Sequence, residues 1–300
     1  MLADKLRKSV LQSAIQGKLT EQLATDDKVE DLLQAIKEEK ELLIKEKKIK
    51  KQKPLPEITE DEIPFAIPEN WKWVRLGEIT SIKGGKRIPV GKKLTTVNTG
   101  YKYIRVADMK NGTVIDTDIH YIDEEIYKKI SAYTISKNDV YITCAGTIGR
   151  IGIVPDFFDG ANLTENADKI ILYFINKLWL CYALNSEAIQ NQIRNVTTKV
   201  GQPKLAIKRI ENMIIPLPPL AEQKRIVEKL DNVLANIDEL KANEEKLSIL
   251  QKNFPDKLKK SILQSAIQGN LTEQLATDDK VEDLLQAIKE EKEFLIKEKK

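Results

Sequence analysis

The segment PLPPLAEQKRIVEKLDNVLANIDELKANEEKLSILQKNF, residues 216–254, organises this chain. Its apolar residues recur at alternating steps of three and four, a pattern typical of a helix that packs one stripe, here called the seam, against another helix. Glu244 and Gln251 interrupt the seam. Pro218 and Pro219 suit a first helical turn, because N–H groups there have no acceptor within the helix. The pattern predicts a helix over residues 218–254, roughly 50 Å long. We expect two chains to dimerise through this helix by contacts of six seam residues: Ile226, Leu230, Val233, Ile237, Leu240 and Leu247.

The composition is that of a globular protein. The 300 residues are 41% hydrophobic and 32% charged, which leaves enough apolar material for a core. The net charge is only +3, but residues 69–216 contain 21 Lys/Arg and 15 Asp/Glu, a local charge of +6. No run reaches the roughly 18 apolar residues of a membrane helix, and the N-terminus lacks the apolar centre of a signal peptide. With Cys144 and Cys181 expected as buried free thiols, we predict a cytoplasmic protein.

The sequence contains an internal repeat, with one copy near each end. Residues 4–48, the N-terminal repeat, and residues 256–300, the C-terminal repeat, align without a gap and are identical at 41 of 45 positions. Each copy reads as two helices with an apolar stripe, and Gly17 is expected to end the first of them. Residues 49–68 contain four prolines and mixed charges, so we predict an extended strap there.

The block from residue 69 to residue 217 has a different character. Glycine-containing turns separate short alternating runs such as YKYIRVA, DVYITCA and IGIVP, which read as strands. The segment that begins DKIILYF should start as a strand and become a helix near Leu178. The fold class we predict is therefore α+β, with a β-rich globular domain and long coiled-coil-forming helices. The expected order is repeat (1–48), strap (49–68), β-rich domain (69–217), long helix (218–254) and repeat (255–300).

The motifs favour binding over catalysis. The only histidine, His120, has no nucleophile pattern nearby, and there is no P-loop, no H-E-x-x-H and no cluster of metal ligands in the sequence. The glycines of GTIGRIG are spaced as in tight turns and not as in the dinucleotide fingerprint. We therefore expect no catalytic residues, no metal and no cofactor on this chain.

Two basic stretches suggest nucleic acid as the ligand. The basic loop, IKGGKRIPVGKK at residues 82–93, contains five Lys/Arg, three glycines and no acid. Glycine-turn N–H groups and basic side chains both suit phosphate oxygens. The second stretch, NVTTKVGQPKLAIKR at residues 195–209, mixes basic and amide side chains that can contact base edges. Either stretch could equally be a solvated loop. The candidate DNA-binding residues are Lys83, Lys86, Arg87, Lys92, Lys93, Arg105, Arg150, Asn162, Lys199, Gln202 and Lys204.

Four segments carry a family resemblance. IPENWKWVRLGEI, KNDVYITCAGTIGRIGIV, IIPLPPLAEQKRIVEKLD and KSILQSAIQGNLTEQ resemble the signature segments of the specificity subunit of type I restriction–modification systems. The resemblance implies a non-enzymatic subunit whose DNA target-recognition domain, here residues 69–217, reads half of a split site. It also implies methyltransferase partners and, in the full complex, restriction subunits, which would bind S-adenosylmethionine and ATP. Subunits of that family have two recognition domains, whereas this sequence has one.

This difference and the seam together predict a homodimer that reads duplex DNA through two identical domains. The alternative from another class is a coiled-coil assembly scaffold whose β-rich domain binds protein. The salt dependence of binding distinguishes these two alternatives, because DNA binding weakens steeply with salt and an apolar protein contact does not.

Overall fold

The computed structural model describes residues 1–197 and 203–298. Two compact units are present, Met1–Lys241 and Ala242–Lys300. The helices are α1 (Leu2–Ile15), α2 (Val29–Lys45), α3 (Leu76–Ile79), α4 (Glu124–Ile130), α5 (Lys177–Leu184), α6 (Glu187–Val196), α7 (Ile207–Glu211), α8 (Leu220–Ile267) and α9 (Val281–Lys297). The strands are β1 (Lys72–Arg75), β2 (Thr80–Gly84), β3 (Tyr101–Ile104), β4 (Met109–Lys110), β5 (Thr113–Val114), β6 (His120–Ile122), β7 (Val140–Thr143), β8 (Ile151–Ile153), β9 (Asn162–Leu163), β10 (Ala167–Leu172) and β11 (Ile214–Leu217). The predicted α+β class is confirmed.

The N-terminal repeat forms α1 and α2, and both pack into the main core. Gly17 follows the end of α1 with φ +68°, as the sequence predicted for a glycine past a helix end. Two backbone hydrogen bonds close this turn, one from the N–H of Gly17 to the carbonyl of Ala14 and one from the N–H of Lys18 to the carbonyl of Ser13. The local sequence is therefore sufficient to account for the helix end.

The strap runs extended, apart from a short 3-10 turn at Glu60–Glu62. Arg75, a buried residue of β1, attaches it to the β-rich domain. Its guanidinium forms a salt bridge of 2.7 Å with Glu62 and donates hydrogen bonds to the carbonyls of Pro56 and Glu57 at 3.1 and 2.9 Å. Arg75 also lowers the pKa of Glu62 to about 2. The strap is thus anchored at its middle, between Pro56 and Glu62.

The β-rich domain is closed by its first and last strands. β1 pairs antiparallel with β11, with Lys72 opposite Leu217 and Arg75 opposite Ile214. The signature segments WKWVR and IIPL, which are about 140 residues apart in sequence, therefore lie side by side. Between them lie an antiparallel sheet of order β2-β10-β7-β8, a second sheet of order β6-β3-β9 and the β4-β5 hairpin. The predicted strand-to-helix change is confirmed, since β10 ends at Leu172 and α5 begins at Lys177.

The long helix differs from its predicted bounds. α8 extends to Ile267, 13 residues beyond the predicted end at Phe254, and passes through Pro255. At about 1.5 Å per residue its 48 residues span about 72 Å. A proline inside a helix removes one N–H donor and strains the preceding turn without always ending the helix. The first helix of the C-terminal repeat is consequently the end of α8 and not a separate element.

The main core lies in the first unit and joins the sheet, α5, α6, both N-terminal helices and the first part of α8. Trp179, Leu180 and Leu184 of α5 are fully buried there, as is Leu230 of α8. In the second unit α9 has no buried residue. Across the described residues, no helix is both long and apolar enough to cross a membrane.

Candidate nucleic-acid interface

The first three residues of the predicted basic loop, 82–84, are the end of β2, and the residues that follow are fixed by backbone contacts. The N–H of Gly85 donates to the carbonyl of Ala167 at 3.0 Å, and the N–H of Lys86 donates to that of Leu163 at 2.8 Å. A Cβ atom at position 85 would lie 2.1 Å from the carbonyl oxygen of Thr164, so only glycine allows this approach. The start of the loop is therefore held rigidly against β9 and β10.

The two basic stretches meet in one cleft. Gly84, Gly85, Lys86 and Arg87 line it from one side, and residues 204–207 line it from the other. This basic cleft has a volume of about 450 Å³ and is completed by Cys144, Glu165 and Asp168. The sequence suggested both stretches separately, and the structure brings parts of both together. Lys199 and Gln202, predicted in the second stretch, lie outside the described residues.

The cations of the basic loop have different surroundings. The Lys86 ammonium lies 5.6 Å from the centre of the Tyr133 ring. Arg87 Nε donates to Glu165 at 2.6 Å, and that carboxylate raises the pKa of Arg87. Lys92 forms an ion pair with Glu125, whereas Lys83 and Lys93 are exposed. Long exposed cations with small protein contacts can exchange those contacts for phosphate oxygens.

A carboxylate lies at the base of the basic cleft. Asp168 on β10 is only 4% exposed, and its Oδ2 has no hydrogen-bond partner among the described residues. Burial raises the pKa of Asp168 to about 6, although the Lys204 charge opposes this shift. Burial likewise raises the pKa of Cys144 to about 12, so its thiol stays neutral. Sequence reasoning missed Asp168; the available signal was a carboxylate inside the apolar strand run NADKIIL.

Arg105 has protein partners that argue against its predicted role in base reading. Its guanidinium contacts Asp108 at 2.6 Å and Asp118 at 2.9 Å, and its Nη1 lies 3.2 Å from His120 Nε2. The hydrogen bond to Asp108 is the main cause that raises the pKa of Arg105. His120 is the first residue of β6. The group holds β3, β6 and the turn after β3 together.

Asn162 is a clear correction. Its side chain is buried and donates to the carbonyl of Ile130 at 2.8 Å, so it has no access to a base edge. The residue type suggested a contact with a base edge, but its place on the short strand β9 makes it a structural amide.

Arg150 is half-buried and donates to the carbonyl of Met109 at 3.2 Å. Lys204 is exposed beside the cleft and pairs with Ala145 in an isolated bridge. Their predicted roles in base reading remain predictions.

The predicted dimerisation residues fall into two groups. Ile226, Leu230 and Ile237 are buried in the main core, and Val233 and Leu240 pack against it. These five side chains therefore have partners within one chain, and ion pairs join Arg7 and Asp4 of α1 to Asp238 and Lys241 of α8. Leu247 is exposed, as is Phe254 one heptad later. Only this second part of the seam remains available.

The chain matches a known protein family. Residues 68–251 match the family described as the type I restriction modification DNA specificity domain, and the chain belongs to that family. It is similar to the type I restriction enzyme EcoEI specificity subunit of Escherichia coli, with 28% identity over 341 residues, 99% of this chain and 56% of that protein. The EcoAI specificity subunit of Escherichia coli is also 28% identical, over 350 residues, with the same coverage.

A solved structure supports the fold. A chain from work on complex assembly and conformational transition of the type I R-M system has a TM-score of 0.56 with this chain at 21% identity. The match covers 90% of this chain and 60% of that one. The chain thus spans 56% of the length of the curated relatives it matches.

Proposed function

We propose that this chain is the DNA-recognition subunit of a type I restriction–modification complex and that residues 69–217 read one half-site. The observation that supports this most is the basic cleft, where Lys86 and Arg87 face Lys204 within a domain of the DNA specificity family. Phosphate contacts from such cations would set the position of the domain on the duplex, and polar groups between them would read base edges.

The chemistry on the DNA would belong to partner subunits. Methyltransferase subunits docked on the helices would bind S-adenosylmethionine, and restriction subunits would bind ATP. This chain would supply the position at which they act and no reacting group of its own. A complex that reads cellular DNA in this way would work in the cytoplasm.

The proposed subunit works as a homodimer. One recognition domain reads one half-site, so a split site requires a second domain. A second copy of this chain would supply it, with Leu247 and Phe254 of the exposed seam contributing to the contact.

Binding of the purified full chain to random duplex DNA tests the ligand class. We expect the logarithm of the binding constant to fall linearly with the logarithm of salt concentration, with a slope of about −0.9 for each phosphate neutralised. Fluorescence anisotropy between low and high salt measures it. Salt-independent binding, or no binding, would favour the protein-scaffold alternative.

Methylation tests the assembly. The chain would be expressed with a type I methyltransferase subunit in a host without adenine methylation, and genomic methylation would be read by sequencing. We expect a defined bipartite motif that is absent when either subunit is expressed alone. Methylation that does not depend on this chain would contradict the proposal.

A further inference from the structure

The two repeats are nearly identical in sequence but opposite in burial. Residues of the N-terminal repeat correspond to those of the C-terminal repeat at a constant offset of 252. Ile15 is 2% exposed and Ile267 is 82% exposed; Val29 is 1% exposed and Val281 is 65% exposed. The same apolar stripe is thus a core surface in one copy and an uncovered surface in the other.

The docking site of the N-terminal repeat is also defined by polar contacts. Arg225 of α8 forms a bidentate ion pair with Asp26, at 2.6 and 2.7 Å. Gln22 Nε2 and Thr20 Oγ1 both donate to Glu222 at 2.9 Å. The backbone of the site contributes as well, since the N–H of Ala188 donates to the Gln12 side chain at 3.1 Å. Directional contacts of this kind select a particular sequence and not merely an apolar helix.

Lys40 adds a contact at the far end of the same repeat. Its ammonium is buried against α3 and donates to the carbonyls of Gly77 at 2.7 Å and Thr80 at 3.1 Å. Burial lowers the pKa of Lys40, as expected for a cation removed from water.

The C-terminal repeat retains every residue that makes these contacts. The residues equivalent to the polar group are Gln264, Thr272, Gln274, Asp278 and Lys292. The copies differ only at Arg7/Lys259, Val10/Ile262, Lys18/Asn270 and Leu42/Phe294. None of these four positions is fully buried in the N-terminal repeat. Val10 packs partly buried against the main core, and Arg7 forms an ion pair with Asp238 of α8. At these two positions the C-terminal repeat keeps an apolar side chain and a cation, so the character of the docking face is retained.

The occupant that we consider for this site is a second copy of the chain. The site includes Arg225, Leu230 and Ile237 of α8. The C-terminal repeat of a second copy would bring to it the same apolar stripe and the same polar side chains as the N-terminal repeat.

We propose that the C-terminal repeat of one chain docks in the site that the N-terminal repeat occupies on a second copy of this chain, and displaces it there. The proposal deepens the homodimer of the proposed function and rests on it. The two repeats compete for one surface. In the monomer the N-terminal repeat has the advantage, because the strap keeps it at a high effective concentration. In the reciprocal dimer, docking of one C-terminal repeat holds the two chains together. The other C-terminal repeat is then also at a high effective concentration near its site.

Charge reversal at Arg225 tests the competition in the full chain. The variant R225D places a carboxylate opposite both Asp26 and Asp278, so it weakens both occupants. Adding D278R restores an ion pair only for the C-terminal repeat of the partner and should strengthen the dimer. Adding D26R restores a pair only for the chain's own N-terminal repeat and should favour the monomer. The two double variants have the same composition and serve as matched controls.

Analytical ultracentrifugation over a concentration series measures the outcome. We expect the dimer of R225D/D278R to have a dissociation constant at least about tenfold lower than that of R225D/D26R. Equal constants for the two, or a wild-type chain that stays monomeric, would overturn the proposal.

A second pair of variants tests the apolar face. V281E/I288E changes side chains that are exposed in the C-terminal repeat and should weaken the dimer. V29E/I36E changes the equivalent side chains, which are buried in the main core, so circular dichroism must first show that the protomer is folded. In the folded variant the dimer should be intact or tighter, because the competitor is removed. An unchanged dimer in V281E/I288E would overturn the proposal.

DNA binding separates this inference from the proposed function. V281E/I288E leaves the basic cleft unchanged, so random-duplex binding by each protomer should keep its salt dependence. If DNA binding depends on salt but the dimer dissociation constant is the same in all four variants, only this inference is contradicted. If the dimer responds as expected but no variant binds DNA, only the proposed function is contradicted.

Discussion

At the scale of single residues, the basic cleft combines exposed cations with one buried carboxylate. Lys86, Arg87 and Lys204 contribute positive charge, whereas Asp168 is buried beneath them. The two kinds of group should have separable consequences. The cations affect the binding of polyanions, and the carboxylate affects the pH dependence of folding.

Lys86→Ala and Arg87→Ala should each weaken binding to specific and random duplexes by a similar factor. Each removes about one phosphate contact, so the salt slope should become shallower by about one unit. Anisotropy titrations at several salt concentrations measure this. Lys5→Ala, an exposed cation on α1, is the matched control and should leave the slope unchanged. An unaltered slope in Lys86→Ala would remove that residue from the interface.

Asp168→Asn should change how stability depends on pH. The pKa of Asp168 is raised to about 6 from an ordinary value of 3.8, so the folded state holds this proton more tightly than the unfolded state. Its contribution is fully present below about pH 4 and is lost as the pH rises through about 6. The variant should therefore gain stability relative to wild type as the pH rises, by at most about 3 kcal/mol at pH 8.

Urea unfolding of both proteins at pH 5 and pH 8 measures that difference. Asp116→Asn, an exposed carboxylate near β5, is the control and should show no such trend. A constant difference between wild type and Asp168→Asn across pH would show that Asp168 is not protonated more readily in the folded state.

At the scale of elements, α8 has two different roles along its length. Its first part completes the main core through Ile226, Leu230 and Ile237. A change such as Ile237→Glu would place a charge in that core and destabilise the protomer itself. The Ile237→Glu variant therefore cannot test dimerisation by itself, although the sequence pattern places Ile237 in the predicted dimer contact.

Leu247→Glu combined with Phe254→Glu is the informative change in the seam. Both side chains are exposed in the second unit, so the unfolding midpoint of the protomer should not move. Burying them between two chains would stabilise a dimer by about 1.5–3 kcal/mol for each fully buried side chain, so the double variant should raise the dimer Kd by about tenfold or more. Sedimentation velocity measures this, and an unchanged Kd would exclude this part of the seam from the contact.

At the scale of the whole molecule, symmetry determines the form of the recognised site. Two identical recognition domains related by a twofold axis present the same side chains to opposite strands. The half-sites should then be inverted repeats separated by a spacer whose length depends on the helices. Methylome sequencing with this chain as the only specificity subunit checks this expectation. A methylated motif with unlike halves would contradict the homodimer.

The local structure of this protein was determined by sequence alone to a large degree. Gly17 and Gly269 end their helices with φ of +68° and +71° and with the same pair of backbone hydrogen bonds, although their surroundings differ. The seam predicted a long helix, and the alternating runs predicted the strands. Such features depend on residues within one or two turns, which a sequence pattern records directly.

Only the tertiary structure decided which side chains are covered. Identical stripes are buried in one repeat and exposed in the other, and the first part of the seam is covered while Leu247 is not. Asn162 is buried beside α4, to whose Ile130 carbonyl it donates, and Asp168 lies beside the basic loop because the pairing of β2 with β10 places Gly84 opposite it. The periodicity of a helix shows that it has an apolar face that needs a partner. Whether that face is buried depends on which distant segment packs against it, and the sequence of the face does not encode that segment.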